Sequence, residues 1–112
     1  YGHKVGDDVL KSIARAVSDN LRQEDFFGRL GGEEFCVFLP GQPIEQAWVI
    51  IERYRLAIEA ITHNSDQGEF NVTASFGLSE LKKQDTVNTL LEKADQLLYQ
   101  AKNNGRNRIE VT

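Results

Sequence analysis

Two adjacent glutamates follow a glycine pair in the run Arg29-Leu30-Gly31-Gly32-Glu33-Glu34-Phe35. Glycine lets a backbone approach a ligand closely, because no Cβ intervenes. Neighbouring carboxylates offer hard oxygen ligands of the kind Mg²⁺ prefers, and such an ion bridges readily to substrate phosphates. A bound metal also lowers the pKa of a coordinated hydroxyl, which makes attack on phosphorus feasible near neutral pH. The same residues also read as a solvated turn carrying two surface glutamates, since Gly-Gly turns are common.

Other candidates are short charged patterns. Lys102 and Arg106 are cations of different kinds, Lys a mobile point charge and Arg a planar fork. Both also suit the C-terminal end of a helix, where cations are favourable to its dipole. Arg22-Gln23-Glu24-Asp25 pairs a fork-shaped cation with a carboxylate three residues on. Taken alone it is also a charged helix end. Asp7 by itself reads as a helix N-cap.

These residues must be held by regular elements. Val9, Leu10, Ile13, Ala14, Ala16, Val17 and Leu21 recur at helical spacing and predict a first helix over about residues 8–22, with Asp7 and Asp8 as cap and first-turn residues. Phe26–Leu30 and Glu34–Leu39 are β-prone runs on either side of Gly31-Gly32, so a hairpin is expected there. Pro40-Gly41 ends the second strand. Ile44, Ala47, Trp48, Ile51, Tyr54, Ile58 and Ile61 mark a second amphipathic helix. Alternation from Phe70 to Phe76 predicts a strand with one buried face. Val87, Leu90, Leu91, Ala94, Leu97, Leu98 and Ala101 mark a third helix, closed by Gly105, before a short strand over Arg108–Val111. The order suits an α/β layer with helices packed on a mainly antiparallel sheet.

The chain has 112 residues, 40% hydrophobic and 27% charged, ordinary values for a single globular domain. Its net charge of −4 argues against nucleic-acid binding through a broad basic surface. Cys36 is the sole cysteine, so no internal disulfide forms, and the expected location is the cytoplasm. No apolar run reaches membrane-spanning length, so no membrane contact is expected of these residues. The chain has no methionine and opens on Tyr1, so it reads as part of a longer protein, with any sensor or membrane anchor before Tyr1.

Four spaced motifs then bear on function. Gly31-Gly32-Glu33-Glu34-Phe35 resembles the GGEEF form of the GGDEF signature. Tyr1-Gly2-His3-Lys4-Val5-Gly6-Asp7 resembles that family's YGHxxGD segment, and Thr73-Ala74-Ser75-Phe76-Gly77 its TxSxG strand. Ala94-Asp95, Leu98-Tyr99-Gln100-Ala101-Lys102 and Gly105-Arg106-Asn107-Arg108 resemble its ADxALYxAKxxGRNR tail. The chain is therefore similar to GGDEF diguanylate cyclase domains from Tyr1 to Arg108, as one domain over 1–112.

The resemblance implies a nucleotide-cyclase, polymerase-palm-like fold. It also implies condensation of two GTP into cyclic di-GMP with release of two pyrophosphates, by two domains meeting as a symmetric homodimer. Glu33 would coordinate Mg²⁺ or Mn²⁺ and help activate the ribose 3′-hydroxyl, and Glu34 would support the metal site. Gly31 and Gly32 would admit the nucleotide, Asp7 would recognise the guanine edge and Leu10 would line the base pocket. Lys102 and Arg106 would meet the terminal phosphates, and Arg29 would stabilise developing charge. His3 is read as structural.

Asp25 stands five residues before Gly31, the spacing of the family's product-inhibition RxxD motif. By that resemblance Arg22 and Asp25 would bind a guanine of cyclic di-GMP, with Arg53 as a third contact. The family domain also begins with a DxDxFK strand and an Asn that lie upstream of anything in this chain. That strand is expected in mid-sheet, between the strand near Phe35 and that around Phe70–Phe76. The 112 residues alone are accordingly expected to show a vacant slot, a strand donated by a partner or a sheet closed up by rearrangement, and not to synthesise product unaided. A non-catalytic receptor for GTP or cyclic di-GMP is the competing function. A different cyclase on the same fold is a third, disfavoured by the matching signature and tail.

Overall fold

The computed structural model describes residues 3–31 and 34–111, and the side chains of 4–28 and 34–111. The chain divides into two compact units, one of Tyr1–Gly41 with Ala57–Val72 and one of Gln42–Leu56 with Thr73–Thr112.

In the first unit, α1 spans His3–Ser18. It begins five residues before the expected residue 8. Val5, Val9, Ile13 and Val17 form a continuous i, i+4 row, so the apolar stripe extends back past the glycine at position 6. Asp7 is therefore inside the helix and exposed, not at its cap. The helix stops at Ser18, where the Asn20 amide Nδ2 donates to the Ala16 carbonyl at 2.7 Å and the Asn20 N–H to Val17 at 3.0 Å. These bonds satisfy carbonyls that a longer helix would have used.

The hairpin forms as expected. Strands β1 (Phe26–Gly31) and β2 (Glu34–Phe38) pair antiparallel, in a register running from Phe26 opposite Phe38 to Gly31 opposite Glu34, with a bulge between Arg29 and Gly31. Rings of Phe27 and Phe35 stack across the strands at 5.3 Å. A second hairpin was not anticipated: β3 (His63–Ser65) and β4 (Gly68–Phe70) pair antiparallel. The Ser65 hydroxyl accepts the Gln67 N–H and donates to the Gly68 carbonyl, and Gly68 takes a φ of +115°. His63 is buried and stacks on Phe70 directly opposite.

In the second unit, Ile44–Glu59 forms α2, of which residues 44–56 belong here. Then β5 (Phe76–Leu78), α3 (Val87–Asn103) and β6 (Ile109–Val111) make a β-α-β unit, with β5 and β6 parallel. Thr86 caps α3 reciprocally: its hydroxyl accepts the Thr89 N–H, and the Thr89 hydroxyl oxygen accepts the Thr86 N–H. Asp85, nearly buried, accepts from Lys93 Nζ at 2.8 Å and from the Lys82 N–H at 2.9 Å. Ala47, Ile51, Tyr54, Leu97 and Ala101 are buried.

The described strands form three two-stranded sheets, two antiparallel and one parallel, in keeping with the expected mainly antiparallel α/β class. One expectation needs correction. Residues 71–75 are not a strand: among the described residues they have no ladder partner, and the Asn71 side chain donates to the Glu59 carbonyl at 2.8 Å. Among the described residues β2 pairs with β1 and β5 with β6.

Gly77 is where α3 meets β5. A Cβ built there would lie 2.1 Å from the Ala94 carbonyl oxygen and 2.4 Å from the Leu98 nitrogen. Those are helix backbone atoms and cannot swing aside. Gly77→Ala is expected to destabilise the protein by roughly 3 kcal/mol or more. Urea unfolding of both proteins checks this.

Candidate functional site

The described part of the GGEEF hairpin is Gly31 and Glu34–Phe35; Gly32 and Glu33 lie outside the described residues, as do the side chains of Arg29 and Leu30. Glu34 opens β2 with its side chain exposed, next to the bulge that ends β1. A bulge bends and twists the strand that carries it and commonly re-aims side chains at active sites. Among the described residues no group of three His, Cys, Asp or Glu side chains could hold a metal. Among the described residues Glu34 is the hard oxygen donor at this place, chemically suited to Mg²⁺.

Asp7 and Leu10 lie on α1, Asp7 exposed and Leu10 half-buried. Two open grooves of about 500 and 280 Å³ run along this helix, lined in part by Asp8 and Ser12, and neither is lined by Asp7 or Leu10.

The RxxD residues are brought together more tightly than the sequence suggests. Arg22 Nε donates to Asp25 Oδ1 at 3.0 Å and Arg22 Nη2 to the same oxygen at 2.7 Å, while the Arg22 N–H donates to Oδ2 at 2.8 Å. Arg22 Nη2 also reaches the Pro40 carbonyl at 3.0 Å, and Nη1 pairs with Glu24 at 3.1 Å. The Asp25 side chain is 1% exposed. Asp25 immediately precedes β1, and Pro40 lies two residues after β2. The motif thus ties the two ends of the signature hairpin at its base. Arg53 is exposed on α2 in the other unit.

At the other candidate set, Lys102 is half-buried in the last turn of α3 and Arg106 is exposed beyond it. The C-cap is Asn104 and Gly105 follows with φ +119°. The Arg106 N–H donates to the Ala101 carbonyl at 2.9 Å, which completes a Schellman closure. Arg55 Nη1 donates to Asn107 Oδ1 at 2.8 Å, and the Asn107 N–H donates to Ser75 Oγ at 3.0 Å. Arg55 and the role of Asn107 were missed from sequence. The available signal was an Asn two residues after the helix-closing Gly105, a residue type that tolerates left-handed backbone.

Residues 1–108 match the family model described as diguanylate cyclase, GGDEF domain. The chain belongs to the GGDEF family. It is 41% identical to diguanylate cyclase DgcP of Pseudomonas aeruginosa over 111 residues, which is 99% of this chain and 16% of that protein. The solved structure of diguanylate cyclase SiaD with its activator SiaC, also from Pseudomonas aeruginosa, superposes with a TM-score of 0.94 at 36% identity, covering 100% of this chain and 43% of that one. The GGDEF domain of DgcB from Caulobacter crescentus, in complex with c-di-GMP, gives 0.94 at 27% identity, covering 99% and 67%. The chain spans 16% to 33% of the length of the curated relatives it matches. No helix among the described residues is long and apolar enough to cross a membrane.

The Arg22 fork holds the Asp25 carboxyl below its ordinary value of 3.8, an effect opposed by burial and helped by the Arg22 N–H. A lowered folded-state pKa gives stability that is fully present above the ordinary carboxylate value and lost as pH falls through the lowered one. Asp25→Asn is expected to destabilise the protein at neutral pH, and the gap from wild type is expected to narrow as pH drops below about 4. Denaturant midpoints of both proteins across that range measure it.

Proposed function

We propose that these residues belong to a diguanylate cyclase that condenses two GTP into cyclic di-GMP and two pyrophosphates. The observation that carries the reading is the GGEEF signature set on a bulged hairpin whose base is tied by the RxxD motif. Support comes from the family match over 1–108, which runs through both compact units and favours a single domain. The intact signature favours a cyclase over a non-catalytic receptor.

In this reading Glu33 and Glu34 would hold a divalent ion, Mg²⁺ or Mn²⁺, which when bound neutralises phosphate charge and lowers the pKa of the attacking 3′-hydroxyl. Gly31 and Gly32 leave room for the nucleotide against the hairpin. Asp7 accepts from the donor edge of guanine, and Leu10 packs against the base. Lys102 and Arg106 bind the terminal phosphates. Arg29 stabilises charge as the phosphorus is attacked. The reaction needs positioning and charge neutralisation more than covalent participation. Each domain holds one GTP, so the attacking hydroxyl and the phosphorus come from two domains of a homodimer.

Glu33→Ala in the full-length protein is expected to lower turnover of GTP by roughly 100-fold or more with the circular dichroism spectrum unchanged. Retained turnover would remove Glu33 from the mechanism.

Product inhibition at Arg22, Asp25 and Arg53 is the second part of the reading. The guanidinium forks suit guanine acceptors and phosphate. Arg22 is already committed to Asp25 and the Pro40 carbonyl, so its replacement removes a structural tie as well as a ligand contact. Arg53→Ala is expected to weaken cyclic di-GMP binding without loss of stability, whereas Arg22→Ala is expected to lose both. Calorimetric titration with cyclic di-GMP, beside thermal melts, separates them; equal affinity in all three proteins would refute the site.

A further inference from the structure

Gly105, Arg106 and Asn107 have φ values of +119°, +59° and +48°. A Schellman closure requires one left-handed residue, and Gly105 supplies it. Arg106 and Asn107 go beyond that need. Arginine in particular has no local side-chain bond to favour this backbone. Such a conformation persists only where the surroundings over-determine it, and it clusters at ligand clamps.

The surroundings here are specific. Arg55, distant in sequence on α2, donates from Nη1 to Asn107 Oδ1 at 2.8 Å and to the Asn107 carbonyl at 3.5 Å. Arg55 is itself fixed by an ion pair with Glu52. The Asn107 N–H is held by Ser75 Oγ at 3.0 Å. On the far side, the Arg108 carbonyl accepts the Phe76 N–H at 2.9 Å, where β5 and β6 begin to pair. The turn is thus pinned to α2, to the segment before β5 and to the end of α3. Within it, the Arg106 side chain is exposed, and Lys102 lies one turn earlier.

We propose that Arg55 and Asn107 are positioning residues that fix the 105–107 turn so that Arg106, with Lys102, is preorganised for the phosphates of a nucleoside triphosphate. The proposal rests on the reading of Arg106 as a phosphate ligand. A fork already held in place loses less freedom on binding than one on a mobile tail, so affinity is gained without a further contact. If Arg55 only glued α2 to the tail, its removal would lower stability and leave GTP binding to the surviving folded protein unchanged.

A double-variant cycle on the full-length protein, with KM for GTP and calorimetric GTP affinity as readouts, tests this. Arg106→Ala is expected to weaken GTP binding about tenfold, the scale of one lost charged hydrogen bond. Arg55→Ala is expected to weaken it several-fold, and Arg55→Ala with Arg106→Ala no more than Arg106→Ala alone. Asn107→Gly tolerates left-handed backbone and so keeps the fold, but lacks Oδ1; it is expected to lose GTP affinity, while Asn107→Asp retains it. If Arg106→Ala binds GTP normally, the phosphate reading falls. If Arg106→Ala is impaired but Arg55→Ala and Asn107→Gly bind normally, or if the effects of Arg55→Ala and Arg106→Ala simply add, the positioning role falls and the phosphate reading stands.

Discussion

The second unit is organised by one close approach: α3 lies so near β5 at Gly77 that helix backbone occupies the space a Cβ would need. Contact at that distance fixes the rotation and depth of the helix against the strand. Everything carried by the far end of α3 inherits that placement. Leu97 and Ala101 are buried, Lys102 falls in the last turn, and the chain leaves the helix at a point from which β6 can return parallel to β5. The Thr86–Thr89 cap and the ion pair between the nearly buried Asp85 carboxylate and the part-exposed Lys93 hold the opposite end of the helix. A β-α-β unit built this way delivers its cationic turn to a defined position beside the β5–β6 pair.

The first unit uses charge for the same purpose. The Arg22–Asp25 pair is not an exposed surface bridge, since the carboxylate is almost wholly buried and receives bonds from both the guanidinium and a backbone N–H. Breaking such a pair leaves a buried charge uncompensated, which costs far more than losing a solvated bridge. Because Arg22 also holds the Pro40 carbonyl, the pair closes the base of the hairpin whose tip bears the signature. A motif that resembles a product-binding site is therefore also a structural tie, and ligand binding there would act on groups that already shape the hairpin.

Two loops show how the same residue types serve different ends. In the β3–β4 turn, Ser65 closes a local hairpin with bonds to its own neighbours. In the segment before β5, Ser75 and Asn71 spend their side chains on distant backbone, at Asn107 and Glu59, and no strand forms between them. Alternation of apolar and polar residues is present in 70–76 but did not decide the outcome, because ladder formation also requires a partner strand.

By itself the sequence determined the elements whose cause is local. Apolar residues at helical spacing specified α2 and α3, Gly-Gly between β-prone runs specified the β1–β2 hairpin, and the four spaced motifs specified the GGDEF family. It left the start of α1 open, since Val5 extends the stripe only if that turn is packed, and it gave no sign of β3 and β4 because a three-residue strand carries too little pattern. Tertiary structure alone decided which distant group each polar side chain would meet. That Arg22 takes the Pro40 carbonyl and Arg55 takes Asn107 depends on where the chain returns, and spacing along the sequence does not encode it. The left-handed backbone of Arg106 has the same origin: no local preference of arginine favours it, and contacts from α2 and from the segment before β5 hold the turn that contains it.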